Sequence, residues 1–148
     1  MRLTKRTNIS MRVLMYCAVH QDRLVTKSEI AEVCNISENH LAQVINRLGQ
    51  LGYLKTHRGR NGGMALGRSM HEIRVGDVFR AVEGTVPIAE CFADDENTCP
   101  LIGACRLRLA IARATEAFYA TLDESTLGEL VEENGGLAEL MTPFACAG

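Results

Sequence analysis

Three cysteines, Cys91, Cys99 and Cys105, fall within the sixteen residues ECFADDENTCPLIGAC, spaced C-x7-C-x5-C. Thiolates at such short range can hold a soft metal centre or exchange as a redox pair. Structural zinc sites normally use tight CxxC knuckles and four ligands, and neither feature is present. Pro100 directly follows Cys99, as proline does beside iron–sulfur ligands. Three thiolates on a loop that caps a helix can hold three irons of a cubane and leave the fourth to another ligand. A helix beginning after Cys99 would aim its free N–H groups at such a cluster, easing its negative charge and the deprotonation of the thiols. A zinc site, three buried thiols and a disulfide switch are the competing readings. Of the other cysteines, Cys17 and Cys34 sit in helical segments and Cys146 in the tail, and all three read as structural.

What positions this segment depends on the rest of the chain. The 148 residues suit one compact domain with an appendage. At 47% hydrophobic and 5% aromatic, the core must be filled by Leu, Ile, Val and Ala. The polar start MRLTKRTNIS and the interruption of Met11 to Val19 by Arg12 do not fit a signal peptide. No apolar run approaches the roughly 18 residues of a membrane span. These features place the protein in the cytoplasm, away from membranes, where thiols stay reduced and clustered cysteines point to metal or redox chemistry.

Charge divides the chain. Residues 1–68 carry eleven Lys/Arg against four Asp/Glu, a net of +7, while residues 69–148 carry five against fourteen, a net of −9. A basic front on an acidic back suits a nucleic-acid-binding domain with a separate regulatory part.

The front half carries the matching pattern. Ile9, Val13, Tyr16 and Cys17 recur at helical spacing over about residues 8 to 20. Thr26 and Glu29 form a capping-box signature ahead of a short helix with Ile30 and Val33 inward, which Asn35 ends. Ser37 caps the next helix, where Leu41, Val44, Ile45, Leu48 and Leu51 form one apolar stripe. Glu38 opens it, and Asn39, His40, Gln43, Asn46, Arg47 and Gln50 occupy the opposite face. This is the layout of a helix-turn-helix whose second helix enters the major groove, where Asn, Gln and Arg match base edges. Strands around Tyr53–Thr56 and Met64–Leu66 flank HRGRNGG, whose glycines and asparagine suit a hairpin needing positive φ. Arg58, Arg60 and Asn61 at its tip form a wing for phosphates or the minor groove. With Thr26, Ser37, Glu38, Asn39, His40, Gln43, Asn46 and Arg47, they make up the expected DNA-binding set.

Behind the wing, Ile73, Val75, Val78, Phe79 and Val82 predict a short helix over about 75 to 83, packed on the wing side. From Pro100 onward, Leu107, Ala110, Ile111, Ala114, Ala117, Phe118 and Leu122 hold a helical stripe whose alanines let a partner backbone come close. It reads as a dimerisation helix, and a homodimer would present two recognition helices to two half-sites about one DNA turn apart. A short acidic helix follows, capped by Ser125 or Thr126. The expected fold is mainly α with a small β-hairpin wing: a winged helix-turn-helix over residues 1–84, a cluster-binding loop over 85–106, and a dimerisation helix and tail over 107–148. No Ser/His/Asp set, HExxH or phosphate-cradling loop after a strand marks an enzyme.

Taken together, MRLTKRTN, ENHLAQVINRLGQLGYL, RGRNGG, GDVFRAVEG and C…CPL…CRL resemble the NsrR family, the nitric-oxide-sensing iron–sulfur winged-helix repressors. The likeness runs in order from Met1 to about Asn134. A sibling group, the iron-responsive repressor RirA, is similar at MRLTKxTN and at AECF…CPL…C. The resemblance implies a homodimeric repressor on a palindromic operator, with a 4Fe–4S cluster, or a 2Fe–2S one, on Cys91, Cys99 and Cys105. Nitric oxide would attack the irons, loosen the segment and lower DNA affinity; iron or cluster status would be the signal in the sibling reading. In similar proteins an aspartate near the N-terminus reaches across the dimer as fourth ligand, and the matching position here is Asn8, whose neutral amide is a poor iron ligand. Glu90, Asp94, Asp95, Glu96 or a water are the other candidates.

Overall fold

The computed structural model describes residues 3–84, 87–93 and 97–143. Asp94, Asp95, Glu96 and Cys146 lie outside the described residues. The order is α1 (Lys5–Val19), α2 (Lys27–Val33), α3 (Glu38–Gln50), β1 (Leu54–His57), β2 (Gly63–Leu66), α4 (Val75–Glu83), a 3-10 turn (Glu90–Phe92), α5 (Arg106–Asp123), α6 (Leu127–Val131) and α7 (Gly135–Leu140). It is the mainly helical winged helix-turn-helix that the sequence predicts.

α1 is the spine. It starts on Thr4, whose side chain accepts from Thr7 N–H, and its Val13, Leu14 and Tyr16 are fully buried. Its main neighbours are α3, α4, α6 and β2. Cys17 lies on the same face, and burial alone pushes its thiol pKa up to about 12, as expected of a small core residue.

The helix-turn-helix follows its local signals closely. Thr26 and Glu29 close the capping box in both directions. Asn35 takes φ 51°, which releases the chain from α2 in the left-handed conformation that Asn tolerates. Ser37 caps α3, and Leu41, Val44, Ile45 and Leu48 are its buried face.

β1 and β2 pair antiparallel from Leu54 opposite Leu66 to His57 opposite Gly63. Gly59, at φ 119°, supplies the positive φ of the wing tip, and Asn61 does not. Val25 and Met64 exchange two backbone bonds, Val25 N to Met64 O at 2.9 Å and Met64 N to Val25 O at 2.8 Å. These bonds fasten the wing to the start of the helix-turn-helix.

Two expectations change. α4 forms over the expected residues, but its main contacts are with α1 and α5 and not with the wing. Its buried face is Val75, Gly76, Val78 and Val82. Gly76 admits α5: a methyl there would collide with the Asp123 carboxylate and come within 2.8 Å of the Tyr119 carbonyl. Second, the chain after Pro100 makes turns, and α5 begins only at Arg106. Gly103, a poor helix former, falls in those turns, where Leu101 and Ile102 are exposed and no packed face rewards a helix.

After α5 the chain returns to the front domain. Leu127 N bonds to Ile73 O at 2.8 Å, Gly128 N to Met70 O at 3.1 Å, and the Leu127 side chain is fully buried. α7 then docks by Met141, whose carbonyl lies 2.8 Å from His20 Nε2.

Candidate functional site

The first candidate surface is the outer face of α3 with the wing. Asn39, His40, Gln43 and Asn46 are all exposed, while the same helix is anchored on its opposite side by four buried apolar residues. Ser37 Oγ, besides capping the helix, lies 2.9 Å from His40 Nδ1, which holds the imidazole at the first turn. Glu38 is turned to α2, 3.1 Å from Lys27 Nζ and 3.3 Å from Ser28 Oγ, so it locks the two helices together. Thr26 spends its hydroxyl oxygen on the capping box and remains exposed. Arg58, Arg60 and Asn61 stand exposed at the wing tip, and neither arginine has a salt-bridge partner among the described residues.

Arg47 differs from its neighbours. It is half-buried, and its Nη2 donates to Ala81 O at 3.3 Å, a carbonyl in the last turn of α4. Its place in sequence, on the face of α3 opposite the apolar stripe, gave no sign of this; only the position of α4 does. Arg68 is spent in the same way. It donates to Leu51 O at 3.0 Å and lies over the Tyr53 ring at 4.7 Å, bracing the corner between α3 and β1.

The second candidate is the cysteine segment. Cys91, Cys99 and Cys105 are free thiols, each half-buried. The loop that carries them is closed from both sides. Glu90 Oε1 accepts from Thr98 N at 2.8 Å and from Thr98 Oγ1 at 2.6 Å, and these two bonds hold its carboxyl below the usual range. Arg108 Nε donates to Cys91 O at 3.0 Å, and its guanidinium sits 5.1 Å from the centre of the Phe92 ring. Cys105 is the N-cap of α5, its Sγ accepting from Arg108 N at 3.4 Å. The helix N-terminus thus meets Cys105, six residues beyond the start after Cys99 that the sequence suggested. Cys99 N donates instead to Asn97 Oδ1 at 3.1 Å.

The donor set suits an iron–sulfur cluster in kind: three soft thiols on one clamped loop, one of them meeting the positive end of an eighteen-residue helix. Among the described residues no three His, Cys, Asp or Glu side chains converge on a single ion. Glu90, one of the candidate fourth ligands, already closes the loop with one carboxylate oxygen. Asn8 is exposed on the first turns of α1. Arg108 was missed in the sequence. Its place in the first turn of α5 was not legible, because the sequence suggested a helix starting just after Cys99 and the helix begins only at Arg106.

α5 itself has no buried residue, and Leu107 and Leu109 are 67% and 61% exposed. It is fixed to α4 by Arg80, which grips both Asp123 carboxylate oxygens at 2.8 and 2.6 Å, and by Phe118 against Phe79. No helix among the described residues is long and apolar enough to cross a membrane.

Comparison with known proteins places this geometry. The family model Rrf2, described as an iron-dependent transcriptional regulator, matches residues 3–133. The HTH-type transcriptional regulator NsrR of Geobacillus kaustophilus is 41% identical over 142 residues, 95% of this chain and 97% of that one. NsrR of Bacillus subtilis has the same identity and coverage. In structure, IscR of T. potens superposes with a TM-score of 0.71 over 90% of this chain and 88% of its own; at 22% identity this likeness shows the fold alone. Because the match spans nearly every element described above, the chain belongs to the Rrf2 family of helix-turn-helix transcriptional regulators, and within it to the NsrR type.

Proposed function

We propose that this regulator is a homodimeric repressor that binds a palindromic operator, carries a 4Fe–4S cluster on Cys91, Cys99 and Cys105, and releases DNA when nitric oxide attacks the cluster. The observation that carries the reading is the clamped loop of three free, half-buried thiols in a chain 41% identical to NsrR. When bound, the cluster supplies reactive iron and a rigid body tied to three points of the loop.

The chain's own residues connect that loop to the DNA face. Arg108 ties the Cys91 turn to α5; Arg80 and Asp123 tie α5 to α4; Arg47 ties the end of α4 to α3. A shift at the loop therefore reaches the recognition helix through three specific contacts. Regulation needs only about 1–3 kcal/mol of coupling between the two sites. In this reading Arg47 positions the recognition helix, while Asn39, His40, Gln43 and Asn46 read bases and Thr26, Arg58, Arg60 and Asn61 hold the backbone. The exposed leucines and alanines of α5 supply the dimer contact.

A second reading, in which iron supply is the signal, is favoured by the description of the family as iron-dependent. Anaerobic purification with iron and sulfide counts, followed by absorption titration with nitric oxide and with a chelator, separates the two. Cluster loss at a few nitric oxide molecules per cluster supports the first reading, and ready loss to chelator alone supports the second. Cys99→Ala should remove the visible absorption and weaken operator binding. Tight operator binding by that colourless variant would contradict the switch.

A further inference from the structure

A groove of about 400 Å³ opens between the start of α1 and the outer face of α3. Lys5 and Arg6 form one rim, His40 and Gln43 the other, over an apolar floor that includes Val44 and Val82. All four rim residues are exposed, and neither Lys5 nor Arg6 has a salt-bridge partner among the described residues. Glu83, whose charge reaches Arg6, is engaged by the Thr4 N–H at 2.6 Å. The groove therefore presents two exposed cations beside the recognition helix, with Glu83 offsetting part of the charge of Arg6 and neither cation held in an ion pair among the described residues.

We propose that this groove seats the DNA backbone at the edge of the major groove that α3 enters, with Lys5 and Arg6 as the phosphate contacts. The proposal rests on the reading of the chain as a DNA-binding regulator and adds a contact surface outside the helix-turn-helix and wing. His40 and Gln43 belong both to this rim and to the exposed polar face of α3, so a duplex met by that face has its sugar–phosphate wall on the α1 side. Backbone contacts fix register and carry no sequence information, which suits two flexible cations better than a buried, oriented pair. The alternative occupant is an acidic protein surface, such as the −9 back half of a second copy.

The test uses the full chain, purified anaerobically, with Lys5→Ala/Arg6→Ala compared with the charge-keeping Lys5→Arg/Arg6→Lys. Binding is measured against salt concentration on a selected operator and on a mixed-sequence duplex. Each lost phosphate contact should lower the slope of log affinity against log salt by about 1, counted for both subunits of a dimer. We expect the alanine pair to reduce that slope on both duplexes alike, with affinity down about tenfold at moderate salt, and the charge-keeping pair to restore both. An unchanged slope, a reduction on the operator only, or weakened self-association with DNA binding intact would each overturn the proposal. If the unaltered protein bound neither duplex, the reading as a DNA-binding regulator would fail first.

Discussion

α1 and α5 are both amphipathic helices, of fifteen and eighteen residues, yet nine residues of α1 are buried and none of α5. α1 finds partners for its whole apolar face within the chain, in α3, α4, α6 and β2. Among the described residues α5 packs mainly on α4, through Arg80, Asp123 and the Phe79–Phe118 contact, with Arg108 reaching the Cys91 turn, and it leaves Leu107 and Leu109 in solvent. Most helix stability in proteins comes from packing an apolar face, so α1 depends on the folding of one chain, while in the dimer proposed above α5 would also depend on meeting a second. The cysteine loop is attached to α5 through Arg108. A segment whose surroundings are incomplete in one chain is the easier one for a bound cofactor to reshape.

The largest expected effect sharpens this contrast. Leu41→Ala, at a fully buried position of α3, should cost about 2–5 kcal/mol in denaturant unfolding. Leu107→Ala should leave unfolding at low concentration unchanged and raise the dimer dissociation constant in sedimentation experiments. Equal losses of unfolding stability for the two variants would erase the distinction between the regions.

Arg108→Gln addresses the loop. It removes the bond to Cys91 O and the stacking on Phe92 but leaves the backbone bond to Cys105 Sγ. Iron retained after anaerobic desalting should fall severalfold, with thermal unfolding of the front domain unchanged. Full iron retention would show that the clamp plays no part in holding the cofactor.

The smallest effect is acid sensitivity at the α4–α5 joint. The Arg80 guanidinium holds the Asp123 carboxyl below its ordinary value. This contribution to stability is therefore complete above the usual Asp pKa of about 3.9 and fades as pH falls through the lower folded value. Asp123→Asn should flatten that part of the unfolding-temperature profile below about pH 4. A profile identical to that of the unaltered protein would mean the pair is screened by solvent.

Legibility in the sequence followed the range of the interaction. The capping box at Thr26 and Glu29, the Ser37 cap, the left-handed Asn35 and the paired wing strands all arise within a few residues, and each was readable as a pattern. The α5 start was misplaced because Pro100 and the long apolar pattern suggested an earlier helix, while exposed Leu101 and Ile102 have nothing to pack against. Arg47 was read as a base contact because its helical position fits one. That in this structure it also reaches Ala81 O depends on where a carbonyl 34 residues later in the chain comes to lie.

The order of the residues by itself determined the helix-turn-helix, the wing and the thiol trio, because caps, turn conformations and apolar periodicity act between near neighbours. Tertiary structure alone decided which cations face solvent and which are spent on carbonyls, which cysteine meets a helix end, and that α6 and α7 return to the front core. Those outcomes depend on contacts between residues far apart in the chain, and no local pattern encodes a distance that only packing sets.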